Sequence, residues 1–418
     1  MKGTTPETRW TEQFPALGTG PIPIEPYISA EYFELERDRI YRRVWLYAGR
    51  REEEIPNPGD YFVQDIAVCA ASVLVARGQD GVIRAFHNVC QHRGSKLVWG
   101  AQGTTRAFMC KFHGWTYADD GRLMRVPDED QFFDFRKSEH ALPKVAVDTW
   151  NGFIFINLQE QPEHTLTEYL GELGHLVSGY DFSSKALTYG YETEAKCNWK
   201  VWRDSIIEGY HAPFLHAKSM AKLINRGNNE NPFAHLLSFR AYGPHCVLSV
   251  PGNAAVKPSP VGALAMKLAP GMTRTPPRSE KDLANLPGFL NPSRNPNWSF
   301  DIIFIFPNFQ FHLWSSGYYL AYSYWPTAVD RTLAELRAYF PRPKNAAERF
   351  VQEYSKRTNR DVILEDLSTL EHIQSVLKSG GIKNMLLQDQ EVAVRHASKA
   401  VNDYVCSPGR PARSALAK

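Results

Sequence analysis

Two short stretches carry residue types that bind metals: Cys90-Gln91-His92-Arg93-Gly94 and Cys110-Lys111-Phe112-His113-Gly114-Trp115. Each pairs one thiolate with one imidazole, as C-x-H in the first and C-x-x-H in the second. Structural zinc favours C-x2-4-C with H-x3-5-H, so this order argues against a zinc clip. A two-iron cluster can take both thiolates on one iron and both imidazoles on the other. That is the Rieske [2Fe-2S] ligation, whose imidazoles raise the reduction potential above that of an all-thiolate cluster. Gly94 and Gly114 close the two stretches and let their backbones wrap a small inorganic core.

A second constellation lies at 198–216. On a helical wheel through 198–211, Trp199, Trp202, Ile206 and Tyr210 share one sector, and Asp204, Glu208 and His211 share another. On an exposed helix the polar trio is simply a solvated face. Pro213 ends such a helix just after His211. On an unbroken helix His211 and His216 stand about 140° apart, so the break lets the second imidazole turn back toward the first. Two imidazoles and one carboxylate make the facial triad that holds Fe(II) with positions left open for oxygen. Far downstream, Ile363, Leu367, Leu370, Gln374 and Leu377 form a stripe at helical spacing with Asp366 at its edge. A carboxylate facing a core is costly unless it is paired or binds a metal. Asp366 is therefore either a ligand or half of a buried ion pair.

With these residues in view, the chain resembles the Rieske non-haem iron oxygenases, in their terminal oxygenase (alpha) subunits. The resemblance rests on the loops NVCQHRG and CKFHGWTY, on E-x-Y-H-x-x-x-x-H from Glu208 to His216, and on E-D-x-x-x-x-E-x-x-Q from Glu365 to Gln374. It spans about residues 40–380. It implies an α+β fold: an all-β Rieske domain plus a catalytic domain with a curved antiparallel sheet over helices, of helix-grip type. It also implies that Cys90, His92, Cys110 and His113 hold a [2Fe-2S] cluster and that His211, His216 and Asp366 hold a mononuclear Fe(II). The implied activity is hydroxylation of a small hydrophobic substrate, aromatic or alicyclic, by O2. Oxidative N- or O-demethylation is the alternative on the same site. Electrons would come from a ferredoxin and/or a flavin reductase, since no flavin or nicotinamide fingerprint is evident in the chain. The implied assembly is a homotrimer, with or without a small beta subunit, in which Glu208 links His211 to His113 of the neighbouring subunit. Three positions depart from the family pattern: Lys111 replaces a common proline, Glu208 a more familiar Asp, and Asp204 a frequent Asn. Asp204 is left with a supporting hydrogen-bond role or that of a surface charge. Two other classes compete: a pure electron-transfer Rieske protein without oxygen chemistry, and a colourless zinc-stabilised binding module.

The elements that position these residues follow from pattern. An amphipathic helix is expected over 26–51, in an N-terminal arm (1–45) that packs on the catalytic domain. Apolar runs and turn clusters between 46 and 157 read as the strands of the Rieske domain, with a hairpin turn at 78–81. The catalytic domain follows over 158–406, then a flexible tail at 407–418. Within it, 251–300 is dense in Pro, Gly, Asn and Ser and reads as a long loop, and 302–311 as a strand ended or bulged at Pro307. Phe214, Leu215, Met220, Leu223, Ile224, Phe304, Phe306 and Phe309 are candidates for an apolar pocket, or plain core. The 418 residues carry a net charge of only +3, evenly spread, which gives no footprint for nucleic acid. No apolar run is long enough to span a membrane and the start lacks a secretory pattern, so a cytoplasmic protein is expected. In that compartment Cys69, Cys197, Cys246 and Cys406 are expected to be plain buried thiols.

Overall fold

The apolar runs between 46 and 157 pair as strands in a computed structural model of the chain, which describes residues 9–216, 219, 235–252, 258–269, 280–314 and 317–406. The expected flexible tail at 407–418 and the pocket candidates Met220, Leu223 and Ile224 lie outside those residues. The chain divides into two compact units, residues 37–169 and residues 1–36 with 170–418.

In the first unit a seven-stranded sheet runs Leu46–Arg51, Phe153–Asn157, Lys144–Trp150, Ile83–His87, Ala71–Arg77, Asp60–Ile66, Gln102–Thr104. A three-stranded sheet of Ala107–Met109, Thr116–Ala118 and Leu123–Arg125 carries the second ligand stretch just before its middle strand. Every strand pairing in both sheets is antiparallel. Leu74, Phe86, Leu97, Phe108, Trp115, Tyr117 and Leu142 form one core cluster, and Cys90 and Cys110 belong to it.

The second unit is built on a seven-stranded antiparallel sheet. Its order is Lys185–Ala195, Arg331–Pro341, Tyr319–Ala328, Phe309–Trp314, Trp298–Ile305, His245–Pro251, Ser238–Tyr242. Register places Tyr189, Ala338, Leu320, His312, Ile302, Leu248 and Phe239 on one face. Helices cover that face. Asn359 of helix Ala346–Leu377 donates Nδ2 to the Tyr189 hydroxyl at 2.9 Å. Trp199 of helix Trp199–Ile206 stacks on Tyr324, and His396 of helix Val392–Cys406 meets Phe239. The opposite face, with Phe311 and Tyr319, packs against Phe182. The expected strand at 302–311 is in fact two, joined at Phe306-Pro307-Asn308, where proline has no N–H to continue a ladder. The expected loop at 251–300 contains helix Pro260–Leu268, capped by Ser259 through the Gly262 N–H at 3.1 Å. Ser before Pro is itself a helix-start signal, and the Pro- and Gly-rich surroundings masked it. Cys406 is exposed, unlike Cys69, Cys197 and Cys246. Among the described residues no helix is long and apolar enough to cross a membrane.

The single helix expected over 26–51 is broken at Ser29 into Glu25–Ile28 and Ala30–Glu36, runs on from Glu36 as a π-helix at Arg37–Tyr41, and gives way to strand Leu46–Arg51. Glu36 ends the arm as an anchor. Its fully buried carboxylate accepts from Trp199 Nε1 at 2.9 Å and from Lys200 Nζ at 2.5 Å. Glu36→Ala strands the Lys200 ammonium and should cost about 3–5 kcal/mol in urea unfolding, whereas replacing both partners by apolar residues should cost far less.

His396 pins the C-terminal helix by donating Nε2 to the Gly243 carbonyl at 2.9 Å, and burial pulls its pKa from 6.5 to about 4. In acid the unfolded chain takes up a proton that the folded histidine refuses. Stability is complete above pH 6.5 and falls as pH drops toward 4, by up to about 3 kcal/mol. Urea midpoints across that range should be flatter in His396→Gln; an identical profile would remove His396 as the cause.

Candidate metal centres

The helix Trp199–Ile206 is shorter than the expected 198–211 and ends with Ile207 as its C-cap. Its continuation is lost to local competition. The Glu208 carboxylate accepts from the Tyr210 N–H and, at 3.4 Å, from the His211 N–H, offering the backbone an alternative to helical bonding. Pro213 then sits in the first turn of a new four-residue helix, Ala212–Leu215, so it opens that helix rather than ending the previous one. His211 and His216 flank this turn as its N-cap and C-cap residues. The imidazoles come together as the sequence implied, by a different backbone route.

Their Nε2 atoms lie 3.2 Å apart, and Asp366 Oδ1 is 3.5 Å from His211 Nε2 and 3.3 Å from His216 Nε2. Asp366 belongs to the buried stripe of helix Ala346–Leu377, together with Leu370, Gln374 and Leu377. Its ion-pair partners among the described residues are the two histidines, and its Oδ1 is buried without a hydrogen bond. The far side of each ring is held by a carboxylate: His211 Nδ1 by Glu208, and His216 Nδ1 by Glu365 at 2.9 Å. An ionised carboxylate only accepts, so each Nδ1 carries the proton and each Nε2 points a lone pair inward. Three acceptor atoms therefore converge within 4.8 Å, an arrangement that repels itself until a cation sits among them. Burial opposes charge on His211, but Glu208 and then Asp366 outweigh it and raise its pKa. The donor set of two nitrogens and one oxygen fits Fe(II).

Asp204 does not join this group. It accepts from Arg203 Nε and Nη2 at 2.8 and 2.5 Å and from the Tyr27 hydroxyl at 2.7 Å. Among the pocket candidates, Phe304 shares the helix-covered face in register with Gln310, Phe309 lies on the opposite face, and Phe214 is exposed.

In the other unit the two cysteine loops close alike. Gly94 N–H donates to the Cys90 carbonyl at 3.0 Å and Gly114 N–H to the Cys110 carbonyl at 2.9 Å. The Cys90 and Cys110 N–H groups bond the carbonyls of Ser95 and Trp115, both at 2.8 Å. Both glycines have φ of 73°, a left-handed conformation that a side chain would strain. The His92 and His113 rings are 4.6 Å apart, and His92 stacks on Trp115 at 5.0 Å. Burial, then the charges of His113 and Arg93, lowers the His92 pKa and keeps it the neutral imidazole that a metal needs. The Tyr117 hydroxyl accepts from the Gln91 N–H at 2.9 Å and sits 3.5 Å from Cys90 Sγ, which leaves its proton for the sulfur. Nothing in the spacing of Tyr117 and Glu365 names these partners in the sequence. Both lie inside motifs that resemble the family, which was the available signal.

Residues 45–146 match the family model described as Rieske [2Fe-2S] domain, and residues 182–407 match ring hydroxylating alpha subunit (catalytic domain). Curated relatives include the glycine betaine monooxygenase oxygenase subunit of Chromohalobacter salexigens, 33% identical over 217 residues, covering 52% of this chain and 48% of that protein. Another is the anthranilate 1,2-dioxygenase large subunit of Acinetobacter baylyi, 31% identical over 218 residues, covering 51% and 46%. The chain thus spans about half the length of the curated relatives it matches. Two solved structures share the fold: a quaternary ammonium Rieske monooxygenase with an inhibitor (TM-score 0.73, 20% identity, 96% of this chain and 99% of that one) and naphthalene 1,2-dioxygenase from Rhodococcus sp. with indole (TM-score 0.74, 19% identity, 96% and 98%). The chain belongs to the ring-hydroxylating oxygenase alpha subunits: a Rieske [2Fe-2S] domain joined to the family's mononuclear-iron catalytic domain.

Proposed function

We propose that this chain is the terminal oxygenase component of a multicomponent system. In this reading Cys90, His92, Cys110 and His113 hold the Rieske cluster, and His211, His216 and Asp366 hold the mononuclear iron. The observation that carries it is the convergence of three acceptor atoms on one point, with Asp366 Oδ1 buried and unsatisfied. Bound there, the metals supply single-electron transfer and the redox activation of O2. The chain's own residues do the positioning. Asp366 brings the one negative charge of the triad, and a triad that occupies a single face of an ion leaves the other side to oxygen and substrate. Glu208 holds the Nδ1 proton of His211, and Tyr117 steadies Cys90 from the other end of the electron path. Glu208 also serves as the link to His113 of the partner subunit in a homotrimer, with or without a small beta subunit. A ferredoxin and/or flavin reductase is the electron donor.

The substrate is a small hydrophobic compound, aromatic or alicyclic. This rests on the helix-covered face of the sheet, where Phe300, Ile302, Phe304, Trp314, Leu320 and Leu336 lie. A second reading, oxidative N-demethylation, is favoured by the relatives named glycine betaine monooxygenase and carnitine monooxygenase. Turnover with a surrogate ferredoxin and reductase under labelled oxygen separates the two. A labelled ring alcohol supports the first, and formaldehyde from an N-methyl compound supports the second. Absence of oxygen uptake with every substrate, both metals being bound, would sink the oxygenase reading.

A further inference from the structure

We infer that Glu365 is a positioning residue for the mononuclear centre and acts through His216; this rests on the reading that His211, His216 and Asp366 hold that iron. Glu365 Oε2 accepts from His216 Nδ1 at 2.9 Å and from the Ser219 hydroxyl at 2.5 Å. The first bond fixes the tautomer of His216 and the rotation of its ring, so that Nε2 faces Asp366 Oδ1 at 3.3 Å. The second holds the carboxylate itself.

His216 needs this help more than its fold position suggests. It caps a four-residue helix, too short to be rigid by itself, and its clamp comes from a residue 149 positions away. His211, by contrast, is clamped by Glu208 only three positions earlier. Glu365 and Asp366 are neighbours on helix Ala346–Leu377, a 32-residue element. One turn of a long helix therefore supplies both the third acceptor and the grip on the second imidazole. The relative placement of Asp366 and His216 is set before any ion arrives, which is what a precise metal site requires. The two side chains differ in exposure as these roles require: Asp366 is 12% exposed and Glu365 23%.

The test uses cluster-replete enzyme stripped of mononuclear metal by a chelator, with Co(II) as the probe and a fluorescent chelator as competitor. Glu365→Ala should bind Co(II) about 10–100-fold more weakly, the usual cost of losing such a partner, while the thermal unfolding of the metal-free protein is unchanged. Glu365→Gln, whose amide oxygen can accept the same hydrogen bond, should recover most of that loss. Wild-type affinity in Glu365→Ala overturns the inference, as does a loss in Glu365→Gln as deep as in the alanine variant. Glu365→Leu, read the same way, replaces the alanine variant should that one not fold. Failure of the underlying reading looks different: wild-type protein takes up no Co(II), or Asp366→Ala binds it as well as wild type.

Discussion

Asp366→Ala is expected to abolish turnover while the visible spectrum of the Rieske cluster stays intact. Asp366 brings the single formal charge to the converging set, and its Oδ1 stands 3.3 and 3.5 Å from the two Nε2 atoms. Without it two neutral imidazoles remain to hold a divalent ion. Losing several kcal/mol of metal-derived stabilisation corresponds to at least about a thousandfold in rate. The cluster's proposed ligands all lie in the other compact unit, so its spectrum is an internal control. Substantial activity in this variant would remove Asp366 from the site.

Glu208→Gln is expected to do the reverse: both metals bind, and electron delivery slows by roughly 10–100-fold, the range typical for partners behind a metal ligand. The amide can still accept from His211 Nδ1, so the histidine stays oriented, but the negative charge of the proposed link is gone. Single-turnover reduction measures the step directly. Steady-state and single-turnover rates equal to wild type would take Glu208 out of the electron path. In the proposed link Glu208 has one methylene more than the Asp that the family resemblance leads one to expect. Its carboxylate bonds both the His211 ring and the Tyr210 N–H.

Much of the site could be read from the chain. The C-x-H and C-x-x-H stretches are legible because metal ligation constrains residue type and spacing at short range, and their glycines do sit at φ of 73°. Asp366 is legible because a carboxylate in an apolar stripe breaks the pattern around it; Leu370, Gln374 and Leu377 of that stripe are buried with it, whereas Ile363 and Leu367 are only partly buried. The helix expected over 198–211 stops early: periodicity continues past Ile206, but the Glu208 carboxylate competes for the backbone N–H groups there. Periodicity also extends the arm helix too far, past the π-helix Arg37–Tyr41 into strand Leu46–Arg51. Glu365, Tyr117 and the Arg203–Asp204–Tyr27 cluster depend on partners brought together by tertiary folding, 177 positions apart for Tyr27 and Asp204. No local pattern encodes such a meeting.

Metal analysis of the anaerobically reconstituted protein decides whether His211, His216 and Asp366 hold an iron of their own. Iron is expected at one equivalent beyond the cluster's pair, with that equivalent lost in His211→Ala, His216→Ala and Asp366→Ala and the acid-labile sulfide unchanged in all three. Iron no higher than the cluster's pair in folded, active wild-type protein, or an extra equivalent that survives all three substitutions, would contradict that assignment.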